Sequence, residues 1–172
     1  MTMLRSIGAA CGGLGLLLLG GCGLRPLYSG GTHGVVAQSL AGVTVSEIPG
    51  RAGWLVRNAL NDRLAAAGGG PARYRLEVEL DDQITGFGVR SDNAVTRERR
   101  TLRARYRLVD AAAGSVVVDA TAGSDAGIDV VSSEYATIAA EETALERLSG
   151  EIADQITVRL ALYAARTRPT AP

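Results

Sequence analysis

Lysine is missing from this chain: all 18 basic residues are arginine. An arginine-only set is what a GC-rich genome produces by itself, and it also suits bidentate binding of phosphate, so both readings stay open. Cysteine occurs only at Cys11 and Cys22. A chain that starts at residue 22 with that thiol blocked has no disulfide, no cysteine-ligated metal and no thiol nucleophile. Aromatic residues make up 4% of the sequence, so the core is built from Leu, Val, Ile and Ala and offers little stacking surface to bases or sugars. The net charge is zero, which gives no bulk field towards nucleic acid, and no nucleic-acid partner is expected. The single histidine, His33, lies in a Gly-rich stretch and suits a solvated residue better than a catalytic one.

What the sequence does have begins at its N-terminus. Arg5 precedes an apolar run from Ile7 to Leu19, followed by Leu19-Gly20-Gly21-Cys22. A positive start, an apolar centre and small residues before a cut are the parts of a secretory signal. The run is short against the roughly 20 residues of a membrane span. The Leu-Gly-Gly-Cys ending resembles the bacterial lipoprotein signal, which implies cleavage after residue 21 and lipidation of Cys22. One acyl chain binds a membrane only marginally, so several chains on one cysteine are needed to anchor without a spanning helix. Gly23, not Asp, follows the cysteine, which favours delivery to the outer membrane, lipid-anchored on its periplasmic side. The division expected is a signal peptide over 1–21, a lipidated start and Gly/Ser/Thr-rich tether over 22–42, one domain over 43–166, and a disordered tail over 167–172.

Within that domain the periodicity changes several times. Val43–Ser46 alternates and stops before Pro49-Gly50, as a short strand does. Arg51–Ala67 repeats Val56, Leu60 and Leu64 every four residues, with Trp54 near the same face, and Gly68-Gly69-Gly70-Pro71 ends the helix. Ala72–Ile84 sets Tyr74, Leu76, Val78, Leu80 and Ile84 against Arg75, Glu77, Glu79, Asp81 and Gln83, the pattern of a strand with one face buried. After turn residues over 86–94, Leu102, Ala104, Tyr106 and Leu108 alternate with arginines, and Ser115–Ala122 gives a third run. From about Ser133 to Ala165 helical spacing returns, with Ile138, Leu145, Leu148, Ile152, Ile156 and Tyr163 near one stripe, Ser132 or Ser133 as cap, and Gly150 as a point of bending. The order strand, helix, three strands, helix predicts an α+β two-layer sandwich: a mostly antiparallel four-stranded sheet with two helices over one face.

No catalytic constellation emerges, so no enzyme, cofactor or metal site is expected. The glycines at 68–70 follow a helix and lack the Gly-Lys-Ser/Thr ending of a phosphate loop. Asp81-Asp82 is too small a cluster to signal a cation. The sharpest feature is basic: Arg97, Arg99, Arg100, Arg103, Arg105 and Arg107 lie within eleven residues, opposed only by Glu98. Glu77, Glu79 and Asp81 of the preceding strand are suited to pair with Arg103, Arg105 and Arg107. Arg97, Arg99 and Arg100 lie nearer the hairpin tip, where fewer carboxylates reach, and are the candidates for an external anion such as a phosphate. Between Glu134 and Asp154 six acidic residues accompany one arginine, the composition of a solvated helix face or of a partner contact.

The segment Cys22-Gly23-Leu24-Arg25-Pro26-Leu27-Tyr28 resembles the opening of the lipopolysaccharide-assembly lipoproteins, the LptE family, which begin Cys-Gly-Phe-Arg-Pro-Leu-Tyr; Leu24 is the one departure. The resemblance continues in the element order and in the closing helix, which carries Gln155-Ile156-Thr157-Val158-Arg159-Leu160-Ala161-Leu162-Tyr163. It implies a non-enzymatic outer-membrane lipoprotein that plugs and helps to assemble an LptD-like β-barrel and takes part in lipopolysaccharide transport to the cell surface. The family's lipopolysaccharide-binding positions are not carried over, so Arg97, Arg99 and Arg100 rest on local charge alone. The competing reading is an auxiliary lipoprotein of an ABC-type envelope lipid transporter.

Overall fold

The alternating segments form the strands expected of them, and two of these are longer than the periodicity alone suggests. In the computed structural model, residue 40 and residues 42–65, 71–89 and 95–167 are described; the signal segment, Cys22, the tether through residue 39 and the tail from 168 lie outside them. The elements run β1 (Val43–Val45), α1 (Gly50–Ala65), β2 (Tyr74–Val89), β3 (Val95–Asp110), β4 (Val116–Asp129) and α2 (Glu134–Arg166). The sheet order is β1-β2-β3-β4. β1 lies parallel to β2, and the other two pairings are antiparallel. The sheet is therefore mixed at one edge. The parallel pair follows from connection: α1 lies between β1 and β2 in the chain, whereas β2, β3 and β4 follow one another directly as antiparallel neighbours.

Five residues beyond Ile84, and seven beyond Ala122, also belong to strands. Gly86, Gly88, Gly123 and Gly127 give these stretches the composition of turns, but β3 pairs with both neighbours along most of its length. Ladder bonds and the burial of Ala126 and Ile128 outweigh glycine's weak strand preference. Gly88 adopts φ +75° near the end of β2, a conformation glycine tolerates, and the β2–β3 register runs through it unshifted.

One face of the sheet is covered. Leu76 and Val78 of β2, Leu102, Ala104, Tyr106 and Leu108 of β3, and Ala122, Ala126 and Ile128 of β4 are buried there. Val56, Leu60 and Leu64 of α1 and Leu145, Leu148, Ile152, Ile156 and Leu160 of α2 meet them in one core. On α1 the packed face continues through Gly53, while Trp54 is 61% exposed. Helix α2 passes Gly150 without a break and is capped at Ser133, whose hydroxyl accepts from the Ala136 amide. Arg63 and Arg51 tie the helices together through Asp154 and Glu142, each at 2.6 Å.

The helices differ in reach. At 1.5 Å per residue α2 spans about 50 Å and α1 about 24 Å; β2 and β3, at 16 residues each, also span about 50 Å. The Arg51–Glu142 contact marks where α1 begins. Beyond it, residues 134–143 of α2 contain no buried residue. Ile138, on the apolar stripe of the sequence, is accordingly exposed, because α1 does not extend that far.

Candidate functional site

The uncovered face of the sheet carries the charged half of every alternation. On β3, Arg97, Arg99, Arg103, Arg105 and Arg107 project to it; Arg75, Glu77, Glu79 and Asp81 of β2 and Asp119, Asp125 and Asp129 of β4 lie on the same face. The register sets Glu77 opposite Arg107, Glu79 opposite Arg105 and Asp81 opposite Arg103, the cross-strand pairing expected from the sequence. The contacts are shared more widely than that register. Arg107 reaches both Glu77 and Glu79, at 3.4 and 3.2 Å. Arg105 turns to β4 and binds both carboxylate oxygens of Asp119, which holds that carboxyl below its ordinary pKa. Arg103 lies over Gly123 and makes no ion pair among the described residues. The ladder is thus a basic strand between two acidic ones, and most of its charge is balanced within the sheet.

The three tip arginines separate. Arg97 gives its Nε to Asp129 at 3.0 Å, and its side chain is 64% exposed. Arg99 stands 4.0 Å from Asp125 and stacks over the Phe87 ring at 5.3 Å, with 59% of its side chain exposed. Among the described residues, each leaves most of its guanidinium donors without a partner. Arg100 does not join them. It has the opposite parity, lies on the helix side at 9% exposure, and binds both oxygens of Asp82 at 2.9 and 2.6 Å. Its remaining nitrogen donates to the Glu141 carbonyl at 2.9 Å. Its donors are committed to the fold, so it is a structural arginine. The Asp81-Asp82 pair divides in the same way: Asp82 serves Arg100 inside, and Asp81 accepts from Gln83 outside.

Around Arg100 carboxylates exceed cations. The buried Oε2 of Glu98 has no donor among the described residues. Its neighbour is the Glu141 carboxyl, whose pKa is raised by burial first and by Glu98 second. Burial and the neighbouring carboxyl both oppose the charged form, so the Glu141 carboxyl keeps its proton to a higher pH than an ordinary glutamate. A raised carboxyl pKa contributes stability that is present below the ordinary carboxylate value and lost as pH rises through the raised one. Glu141→Gln supplies a permanent donor and removes that loss. The variant is expected to gain about 0.5 kcal/mol at pH 7 and nothing near pH 4, as read by denaturant unfolding at both values. An equal change at the two pH values would show that the Glu141 carboxyl is not held above its ordinary pKa.

The sheet's two edges are treated differently. Gln155 of α2 reaches over the edge of β4 and bonds both the amide and the carbonyl of Gly123, at 3.2 and 3.1 Å. Beside it the Ser124 hydroxyl bonds Glu151. The side-chain amide stands where a neighbouring strand's peptide group would stand. The sequence gives little warning of this, because Gln155 falls among polar residues of a helix and Gly123 among residues of turn-like composition. Asp82 was legible only through parity: it shares the even positions of Leu76, Val78 and Leu80.

Fold and face together define a class: a small α+β domain whose sheet is covered by helices on one side and left open and charged on the other. The family described as LptE, lipopolysaccharide-assembly, matches residues 38–160. The chain belongs to that family, and a role in the lipopolysaccharide transport machinery follows from membership. It is similar to a protein described as a lipoprotein from Caulobacter crescentus CB15, at 32% identity and TM-score 0.66 over 80% of this chain and 100% of that one. A minor lipoprotein from Acinetobacter baumannii shares the fold at 16% identity and TM-score 0.59, over 77% of this chain and 98% of that one. Rare lipoprotein B from Shewanella oneidensis shares it at 12% identity and TM-score 0.56, over 73% and 96%. No curated protein matches the sequence.

Proposed function

We propose that this protein is an outer-membrane lipoprotein, anchored through acyl chains on Cys22, that plugs and helps to assemble an LptD-like β-barrel during lipopolysaccharide transport. It acts by binding, not by catalysis. The observation that carries the reading is the open sheet face. A flat surface of alternating arginine and carboxylate, balanced within itself, is costly to bury against an apolar partner but suits the polar interior of a large barrel. The lipoprotein signal ending in Cys22 supports the anchor, and among the described residues no helix is long and apolar enough to cross a membrane.

Affinity purification of the tagged full-length protein from mild-detergent membranes tests the partner. A near-equimolar outer-membrane barrel is expected in the eluate. An ABC-type transporter in its place would move the protein to the auxiliary-lipoprotein reading. Arg97 and Arg99 are the proposed contacts to lipopolysaccharide phosphates, as both are exposed and sparsely paired. Arg97→Glu with Arg99→Glu is expected to weaken lipopolysaccharide binding at least tenfold while leaving the unfolding midpoint nearly unchanged. Unaltered binding would remove the tip from the lipid path.

A further inference from the structure

The edge of β2 is longer than the strand that covers it. β1 pairs only with Tyr74–Leu76, and the last bond of that ladder runs from the Ser46 amide to the Leu76 carbonyl. That bond, with the Tyr74 amide donating to Gly42, shows that even-numbered residues of β2 turn both backbone groups towards β1. Odd residues turn theirs towards β3; the Arg73 carbonyl already does so, accepting from the Ala111 amide, while the Arg73 amide, just before β2 begins, still donates to Gly42. Beyond Leu76 the even residues Val78, Leu80, Asp82, Ile84 and Gly86 continue the same line past the end of β1. Among the described residues no backbone group beyond the Ser46 bond pairs with them on that side. Every residue of β2 from 81 to 88 is exposed.

Uncovered edges invite pairing, and proteins usually blunt them with proline, lysine, short strands or bulges. This edge has no proline or lysine, and β2 keeps one register with β3 from Tyr74 to Val89 without a bulge. The opposite edge is blocked at its middle by Gln155. Among the described residues, one edge is thus obstructed and the other left open over five even positions, Val78 to Gly86.

We infer that β2 beyond Leu76 accepts an extended segment of the partner barrel protein as a fifth strand, with apolar residues alternating with basic ones. This deepens the barrel reading and rests on it. The alternation follows from the rim that the new strand would meet. On the helix side it meets Leu80 and Ile84, the latter 42% exposed; on the open side it meets Glu79 and Asp81. Asp81 faces Arg103 across β3 but makes no ion pair among the described residues, so its charge is available to a cation. The same acidic rim disfavours a second copy, because self-pairing near Asp82 sets carboxylates against carboxylates.

Amide hydrogen exchange at single-residue resolution tests the inference, comparing the free full-length protein with its complex with the co-purified barrel. In the free protein the even amides exchange fast and the odd ones slowly; in the complex the even amides slow at least tenfold. A photo-crosslinker at Gln83 is expected to mark an alternating apolar–basic segment of the barrel. Asp81→Arg lowers that yield about tenfold, whereas Asp125→Arg on β4 does not. A barrel that co-purifies while the even amides exchange as in the free protein overturns the added strand and leaves the barrel reading standing. Even amides already slow in the free protein, or crosslinks to a second copy, also overturn it. If no barrel co-purifies but the edge is protected by an apolar–basic segment of another protein, the strand addition holds and the barrel reading falls. If nothing protects the edge, both fall.

Discussion

Arg100→Met is expected to cost about 3 kcal/mol of stability, and Arg99→Met, one residue away, less than about 0.5. The contrast comes from parity. Arg99 stands in solvent over Phe87, and its nearest carboxylate oxygen is 4.0 Å away. Arg100 is buried, holds both oxygens of Asp82, and donates to the Glu141 carbonyl. Removing its charge strands Asp82, whose side chain is only 24% exposed, and takes from the Glu141 carboxyl the cation that acts on it. The loss is therefore greater at pH 7 than at pH 4, where protonation relieves the unpaired carboxyls. Replacing both partners, Arg100→Met with Asp82→Leu, is expected to return to within about 1 kcal/mol of the natural protein, because an apolar pair leaves no buried charge. Denaturant unfolding of the four proteins at both pH values checks this. If Arg100→Met costs no more than Arg99→Met, the ion pair contributes nothing to the fold.

The same parity explains what the sequence made legible. Where one face of a segment is uniformly apolar, as over Leu76–Leu80 of β2 and Leu102–Leu108 of β3, alternation predicted the face turned to the core and the cross-strand charge pairs, whereas Ile84, placed on the same face, is exposed. Alternation was less informative where polar residues take core-side positions. Asp82 and Arg100 sit in line with leucines, and proximity to the hairpin tip grouped Arg100 with Arg97 and Arg99, although strand geometry puts it on the other face. Turn-like composition shortened β2 and β4, because ladder bonding by β3 leaves no trace in the sequence of its neighbours. The Gln155 cap was invisible for a related reason: it joins residues 32 apart in the chain, and neither is unusual in its own segment. The open edge beyond Leu76 depends on β1 being three residues long, a property of one element that becomes informative only beside the length of another.

Two glycine-to-alanine changes are expected to act in opposite directions. In a helix interior alanine is favoured over glycine by about 1 kcal/mol, because the backbone has less freedom to lose. Gly150, in the middle of α2, should show most of that gain: a Cβ there meets only the Arg63 Nη2, at 3.8 Å, an ordinary contact. The Arg63 bond to the Gly150 carbonyl uses the backbone and survives the change. At Gly53 the outcome reverses. A Cβ would stand 2.4 Å from the Ile48 carbonyl oxygen and 2.7 Å from its carbon, distances that backbone atoms cannot accept without moving. Ile48 is buried on the turn from β1 into α1, so relief requires shifting the helix that carries Val56 and Leu60 into the core. Gly53→Ala is expected to destabilise by about 2–3 kcal/mol net of the helical gain. Thermal unfolding should therefore place the two variants on opposite sides of the natural protein. The sequence marks only Gly150, as a point of bending in the longest helix, and gives Gly53 no role. Only the close approach of α1 to the Ile48 carbonyl makes the first glycine necessary and the second replaceable.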